Sequence, residues 1–352
     1  MLRPSQMIHM VNNKYRIEKI DPTIYTDEDW QRYYDFRYKS YALINEPMPF
    51  DSVAQLKALN VSNIKNSGDE LHIVWKNEQE NGMLFFAVDC KDDPDRRFTY
   101  LENYLNDRTL DEPLLKLIFQ RFIDYDAASN SLAILSRDGM NDFVEKLYGA
   151  TVGANAVRYE LPIKDAKEEV IAGWLAEGAT KFSDLRMEFY DEIPDELLEK
   201  YGSFYRRILD DIPVPTDLGD NTFSAESAKS LQEAFKLRNY CIYNYLLFNE
   251  ANELMALTNV NINLKDRTEI EQGITGVRKD YRGRGLSKWL KAAMYKKLIT
   301  DFPELETIET ETHPLNHPSR ELSKQMGFKE TGTQKYYLIS REAVLECLGA
   351  EQ

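Results

Sequence analysis

The apolar positions of this chain change period several times, and each change predicts an element. At Leu286, Trp289, Leu290, Ala293 and Met294 they follow the i, i+3, i+4, i+7, i+8 spacing of a helix with one buried face. Similar spacing predicts helices over 27–43, 114–125, 140–148, 194–212 and 225–248, with Trp30, Tyr33, Tyr34 and Tyr41 of the first turned inward. Extended segments are expected at 15–21, 71–75, 83–88, 131–135, 157–161, 253–264, 269–277 and 305–312. The pair 71–75 and 83–88 is joined by the polar turn KNEQENG, and 253–264 and 269–277 form a hairpin about KDRT. Alternation along the last strand puts Glu269, Glu271, Gly273, Thr275 and Val277 on one face. The segment 163–180 reads as an amphipathic connector.

The order of elements repeats. Helix, strand, helix, strand over 114–161 echoes the run from Leu286 to Tyr337, and Gly149 and Gly327 each stand ten positions before a tyrosine, Tyr159 and Tyr337. An internal duplication follows. A length of 352 residues accommodates two domains, each with its own core.

Charge narrows the range of partners. Against 59 acidic residues stand 44 basic ones, a net charge of −15 that argues against nucleic acid or an anionic membrane and permits a cationic substrate. The sequence contains no apolar run of about eighteen residues and no signal-like start, so a cytoplasmic protein is expected. Cys90, Cys241 and Cys347 are too scattered for a disulfide framework or a CxxC site. His313 and His317 have the spacing of a zinc helix, but Pro314 and Pro318 interrupt it and no glutamate follows His313. No metal is expected.

One stretch departs from the acidic background: Gly276 to Lys291, GVRKDYRGRGLSKWLK. Arg278, Lys279, Arg282, Arg284, Lys288 and Lys291 crowd it, with Asp280 the one acid among them. A helix entered through Gly283 and Gly285 offers unpaired backbone N–H groups, and glycines admit phosphate close to them. The Walker loop does not fit, since Gly-Lys-Ser/Thr is missing, and the dinucleotide fingerprint lacks its third glycine.

The pattern Arg282-x-x-Gly285-x-Ser287 resembles the pyrophosphate loop of the GNAT superfamily of acetyl-CoA-dependent N-acetyltransferases, with Ser287 where that family carries glycine or alanine. PLNHPSRELSKQMGF is similar to the family's asparagine-bearing helix and Leu-Gly-Phe, through Asn316, Gly327 and Phe328. The stretch Phe189 to Leu218, with IPDELLEKY and DDIPVPTDL, looks like the opening of the second half of tandem GNAT proteins related to mycothiol synthase. The resemblance implies an α/β fold of two tandem GNAT-like domains, each a mixed, mostly antiparallel sheet flanked by helices. The expected division is a degenerate domain at 1–163, a connector at 164–184 and a catalytic domain at 185–352.

The implied reaction is acetyl transfer from acetyl-CoA, as co-substrate, to a primary amine of a small, cationic acceptor. Arg282, Gly283, Arg284, Gly285, Leu286 and Ser287 would hold pyrophosphate, Val277 the pantetheine arm and thioester carbonyl, and Asn316 the far side of the coenzyme. Glu271, six residues before Val277 in EQGITGV, matches the catalytic glutamate of mycothiol synthase-like enzymes and would be the base, its pKa raised by partial burial; Glu269 competes. Ser323 stands where many members carry an acid tyrosine, so Tyr336 and Tyr337 are substitutes to weigh and the acid is unassigned. The loop IPVPTDLGDN would border the acceptor. If LLK at 114–116 matches WLK at 289–291, Leu110 and Glu112 replace Gly285 and Ser287, and the first domain has lost the coenzyme. Two alternatives stay open: a non-catalytic CoA-binding module for regulation or assembly, and an aminoacyl-transferring ligase on a related double fold.

Overall fold

Apolar stripes and alternating runs become thirteen strands and ten helices in the computed structural model, which describes residues 9–11, 14–21, 24–43, 52–67, 69–89, 97–105, 110–137, 141, 143–211 and 223–349. The loop IPVPTDLGDN and Cys90 fall outside them. In chain order the first half runs β1 (His9–Val11), β2 (Tyr15–Lys19), α1 (Asp27–Leu43), α2 (Val53–Ser67), β3 (Glu70–Lys76), β4 (Gln79–Asp89), β5 (Phe98–Leu105), α3 (Glu112–Tyr125), β6 (Ser131–Arg137), α4 (Phe143–Tyr148) and β7 (Thr151–Pro162). The second half runs α5 (Glu168–Lys181), β8 (Arg186–Tyr190), α6 (Asp195–Asp210), α7 (Ala225–Leu237), β9 (Tyr240–Phe248), β10 (Leu254–Asn263), β11 (Glu269–Val277), α8 (Leu286–Asp301), β12 (Thr307–Thr312), α9 (His317–Met326), β13 (Lys329–Ser340) and α10 (Arg341–Leu348).

The long helix expected over 225–248 is two elements. Asn239 takes a left-handed conformation, φ 59°, directly after α7, and the aromatic and branched run YCIYNYLLF then pairs along its whole length with β10. Sheet pairing overrides helical spacing there because β9 alternates between two buried layers. The turn between β3 and β4 is also tighter than expected. Asn77 and Glu78 alone make it, both with positive φ, so β4 starts at Gln79.

The described residues pack as two units, one holding those up to Asn155 and from Thr333 onward, the other those from Ala156 to Gly332. A division at 163 and 185 was expected. The packing departs from it because the last strand of each half serves the other unit. Residues Val157 to Pro162 of β7 pair antiparallel with β12, and Gln334 to Ser340 of β13 pair antiparallel with β6. The two tyrosines that mark the repeat exchange places accordingly. Tyr337 is buried in the first unit's core, and Tyr159 in the second's.

In the first unit the strand order is β1-β2-β3-β4-β5-β6-β13, antiparallel except for β5 and β6. Helix α3 buries Leu114, Leu115, Ile118, Phe119 and Phe122 on this sheet. In the second the order is β7-β12-β11-β10-β9-β8, with β11 and β12 the parallel pair. Helices α5 and α8 cover one face, where Ile262, Ile270, Ile308 and Leu161 meet Tyr295 and Leu298. Helices α6 and α7 cover part of the other, over Leu246, Phe248 and Leu257. No helix among the described residues is long and apolar enough to cross a membrane.

Candidate active site

The site begins where β11 leaves its neighbour. The parallel ladder joins Glu269 to Thr307, Ile270 to Ile308 and Glu271 to Glu309, and stops there, although β11 continues to Val277 and β12 to Thr312. One cause lies on the other edge of β11. Asn259 of β10 turns its Oδ1 to the Ile274 N–H at 2.7 Å, and the β10–β11 register slips by one residue between the Val260–Gln272 and Thr258–Thr275 pairs. This is a bulge, and it bends the strand that carries it. A Cβ on Gly273 would stand 2.4 Å from Asn259 Oδ1, so the bulge needs glycine there.

The bulge also corrects the expected single face of β11. Glu269 and Glu271 share a face, but the alternation is reset before Thr275 and Val277. Arg278 N–H bonds to Met255 O on β10 at 2.9 Å. Successive amides of an extended strand point to opposite edges, so the Val277 N–H points to the edge that β12 has left. Val277 O, on that same edge, accepts from Arg282 Nε at 3.0 Å.

Beyond Val277 a short 3₁₀ turn, Lys279–Tyr281, leads into the glycine loop. Gly283 and Gly285 have φ of +73° and +105°, a region costly for residues with a Cβ, and a Cβ at either would meet nothing within 4 Å. Gly285 is the N-cap of α8 and supplies no side-chain acceptor, so the first N–H groups of the helix lack a side-chain cap. Leu286 is buried under the loop, and Ser287 is half-buried in the first turn of α8.

The basic residues are held in place by acids and rings. Arg282 and Lys279 both pair with Asp211 at the end of α6, and Arg278 is bidentate to Asp280 at 2.8 Å. These pairs hold the Asp211 and Asp280 carboxyls below the usual carboxylate range: burial opposes the shift at Asp211 and its bonds to Lys279 and Arg282 outweigh it, while at Asp280 the Arg278 hydrogen bond dominates. Arg284 donates to Asp280 O at 2.9 Å and lies over the Tyr281 ring. Arg282 is thus a brace between β11, α6 and the loop.

On the face of the sheet away from α5 and α8, register aligns Asn261, Glu271, Glu309 and Glu160 in one row across four strands. Asn261 Nδ2 donates to Glu271 Oε2 at 3.0 Å, and Glu271 is exposed. The partial burial expected of Glu271 is found at Glu309 instead. Burial pushes the Glu309 carboxyl up, and Arg158 pulls it down less than burial and Glu160 raise it. Tyr205 of α6 reaches Asn259 and senses Glu271, and its hydroxyl is raised chiefly by burial. Glu309 gave no signal in the sequence, since only the register of β12 on β11 brings it beside Glu271.

Residues 207–328 match the family model described as Acetyltransferase (GNAT) family. The chain carries a GNAT acetyltransferase domain. Among solved structures its fold matches a tandem GNAT protein from the clavulanic acid biosynthesis pathway, solved without AcCoA, at TM-score 0.68 and 13% identity over 93% of this chain and 99% of that one. A GCN5-related N-acetyltransferase from Sphaerobacter thermophilus matches at 0.55 and 10% identity, over 94% and 97%. A putative acetyltransferase from Pyrococcus horikoshii matches at 0.53 and 12% identity, over 96% and 93%. No curated protein matches the chain. The fold is therefore the expected tandem GNAT arrangement, a mixed sheet flanked by helices in each half.

The other expected residues of this GNAT domain fall as follows. Asn316 caps α9, its Oδ1 accepting from Ser319 N at 3.3 Å. Ser323 is buried in α9 and its hydroxyl finds no partner among the described residues. Tyr336 and Tyr337 lie on the part of β13 paired with β6 in the first unit, and Tyr337 is wholly buried there. At the helix of the first unit that repeats α8, Leu110 is buried and Asp111, not Glu112, stands over the N-terminus, accepting from Leu114 N at 3.2 Å and from Tyr15 Oη at 3.0 Å. Lys14 pairs with the same carboxylate.

Proposed function

We propose that the second unit transfers an acetyl group from acetyl-CoA to a primary amine of a small cationic acceptor. The observation that carries this reading is the uncapped N-terminus of α8 behind two left-handed glycines, next to a strand edge left open by its neighbour. Anionic oxygens suit such a terminus, because its N–H groups and the helix dipole both favour negative charge. The tandem protein solved without AcCoA and the family name point to the same coenzyme.

Pyrophosphate would sit on the N–H groups from Gly285 to Ser287, with Arg284 beside it. Arg282 keeps Val277 and Asp211 in register, so its contribution is to hold the loop as much as to meet the anion. The pantetheine arm would lie along the free edge of β11. Val277 N–H would then donate to the thioester carbonyl as negative charge develops on its oxygen. Asn316 would bound the coenzyme from α9.

The acceptor ammonium would approach from the face that carries Glu271, Glu309 and Glu160. Glu271, exposed and fixed by Asn261, would take its proton before attack. A neutral amine adds to the thioester carbon, the tetrahedral adduct collapses, and coenzyme A leaves as thiol. Release of coenzyme A thiol from acetyl-CoA, measured against polyamines, aminoglycosides, amino acids and peptides, tests this reading. Turnover with at least one cationic amine is expected; acceptor-independent silence with bound acetyl-CoA would leave a binding module.

A further inference from the structure

One charged group of the GNAT domain has no counterpart in this scheme. Lys291, in the second turn of α8, is 4% exposed, and no carboxylate among the described residues pairs with it. Desolvation alone lowers its pKa, to about 8. Burying an ammonium without a partner is costly, and such a group is a candidate for a site of chemistry.

Its position follows from the packing of α8. Leu290 belongs with Ala256 and Val277 at the loop end of the sheet, whereas Tyr295 belongs with Ile270 and Ile308 on the last rungs that still join β11 to β12. Lys291 lies between these levels, one helical turn above Tyr295 on the same side of α8. That is the height at which the two strands part. Tyr295 packs its ring 6.1 Å from that of Phe328, whose N–H bonds to Ser323 O, so this side of α8 looks towards α9.

The elements that face this side of α8 also carry polar groups left over. Among the described residues Tyr295 Oη, Ser323 Oγ and Gln272 Oε1 are all buried without a hydrogen-bond partner, and Thr310 Oγ1 donates to Gln272 O at 3.3 Å across the fork. Buried polar groups left unpaired together point to a ligand that completes them.

Resting on the acetyl-transfer reading, we infer that Lys291 is the catalytic residue that protonates the departing sulfur of coenzyme A. As the tetrahedral adduct collapses, the C–S bond breaks and its electron pair goes to sulfur. Sulfur takes a proton from Lys291 Nζ, and the neutral amine left behind is recharged from solvent after the thiol leaves. An acid near the thiol's own range is matched to that transfer.

The test needs no acceptor. Free coenzyme A is bound to the wild-type chain and to Lys291→Met, binding is followed by calorimetry, and the bound thiol is titrated by the ultraviolet absorbance of its thiolate. An ammonium beside the sulfur favours thiolate, so the bound thiol should ionise about one pH unit or more lower in the wild type than in Lys291→Met. Equal titration in two proteins that both bind coenzyme A overturns the role of Lys291 and leaves acetyl transfer standing. No binding to the wild type overturns both. A packing role for Lys291 would change affinity or stability without moving the thiol titration.

Discussion

Glu271 and Glu309 face one another on the last rung that joins β11 to β12, and beyond them the strands separate. The pair therefore stands at the mouth of the fork, on the face opposite α8, where an amine could reach a thioester laid along the open edge. Glu271→Gln preserves shape and removes basicity. We expect kcat to fall about 10²-fold or more, with acetyl-CoA affinity kept. Near-normal turnover in Glu271→Gln together with inactivity in Glu309→Gln would move the base to β12.

Glu309 has a second consequence, for stability. Its folded pKa is raised, first by burial, so its ionised form is disfavoured in the fold and stability is lost as pH rises through the folded value. Glu309→Gln should raise the thermal midpoint at neutral pH. The gain should vanish below the ordinary carboxylate range, where Glu309 is protonated in both states; an equal gain at all pH would show that packing, not charge, is responsible.

Lys291 gives the opposite sign. Its folded pKa falls from 10.5 to about 8, so the charged form costs roughly 3 kcal/mol below that range. Lys291→Met should be more stable than the wild type at neutral pH, by up to about that amount. The difference should close as pH rises above the ordinary lysine range. Denaturant midpoints across that pH span measure it.

Helix α6 approaches the site strand closely at Gly276. A Cβ on Gly276 would come within 2.0 Å of Ile208 Cδ1. Gly276→Ala should cost about 1–3 kcal/mol by overpacking and should disturb Asp211, the partner of Arg282. Adding Ile208→Ala should recover part of the loss, and a double-mutant cycle reads the coupling. Strictly additive effects would show that the two side chains do not meet.

Much of this was legible in advance, because the helices and strands that form the site have strong periodicity and the glycine loop has a mechanism attached to its residues. The face of Val277 was not. Period-two alternation assumes an unbroken ladder, and the bulge at Gly273 and Ile274 resets it; a glycine inside the strand, Gly273, was the available signal. Glu309 and the exchange of β7 and β13 were hidden for another reason. A strand's sequence declares that it pairs, not with which partner or in what register.

The first unit offers a natural control. Asp111 closes the N-terminus of α3 with its own carboxylate, supported by Lys14 and Tyr15, where α8 has Gly285 and open space. Asp111→Ala should cost about 1 kcal/mol as a lost cap and leave acetyl-CoA binding unchanged. Weakened coenzyme binding in that variant would implicate the first unit.

The account stands most directly on one titration, acetyl-CoA into the full chain by calorimetry, repeated with Gly285→Glu. It requires about one site per chain, abolished by the glutamate, whose side chain is strained at φ +105° and repels pyrophosphate from the α8 N-terminus. Two sites of similar affinity, or one site that survives Gly285→Glu, would contradict it.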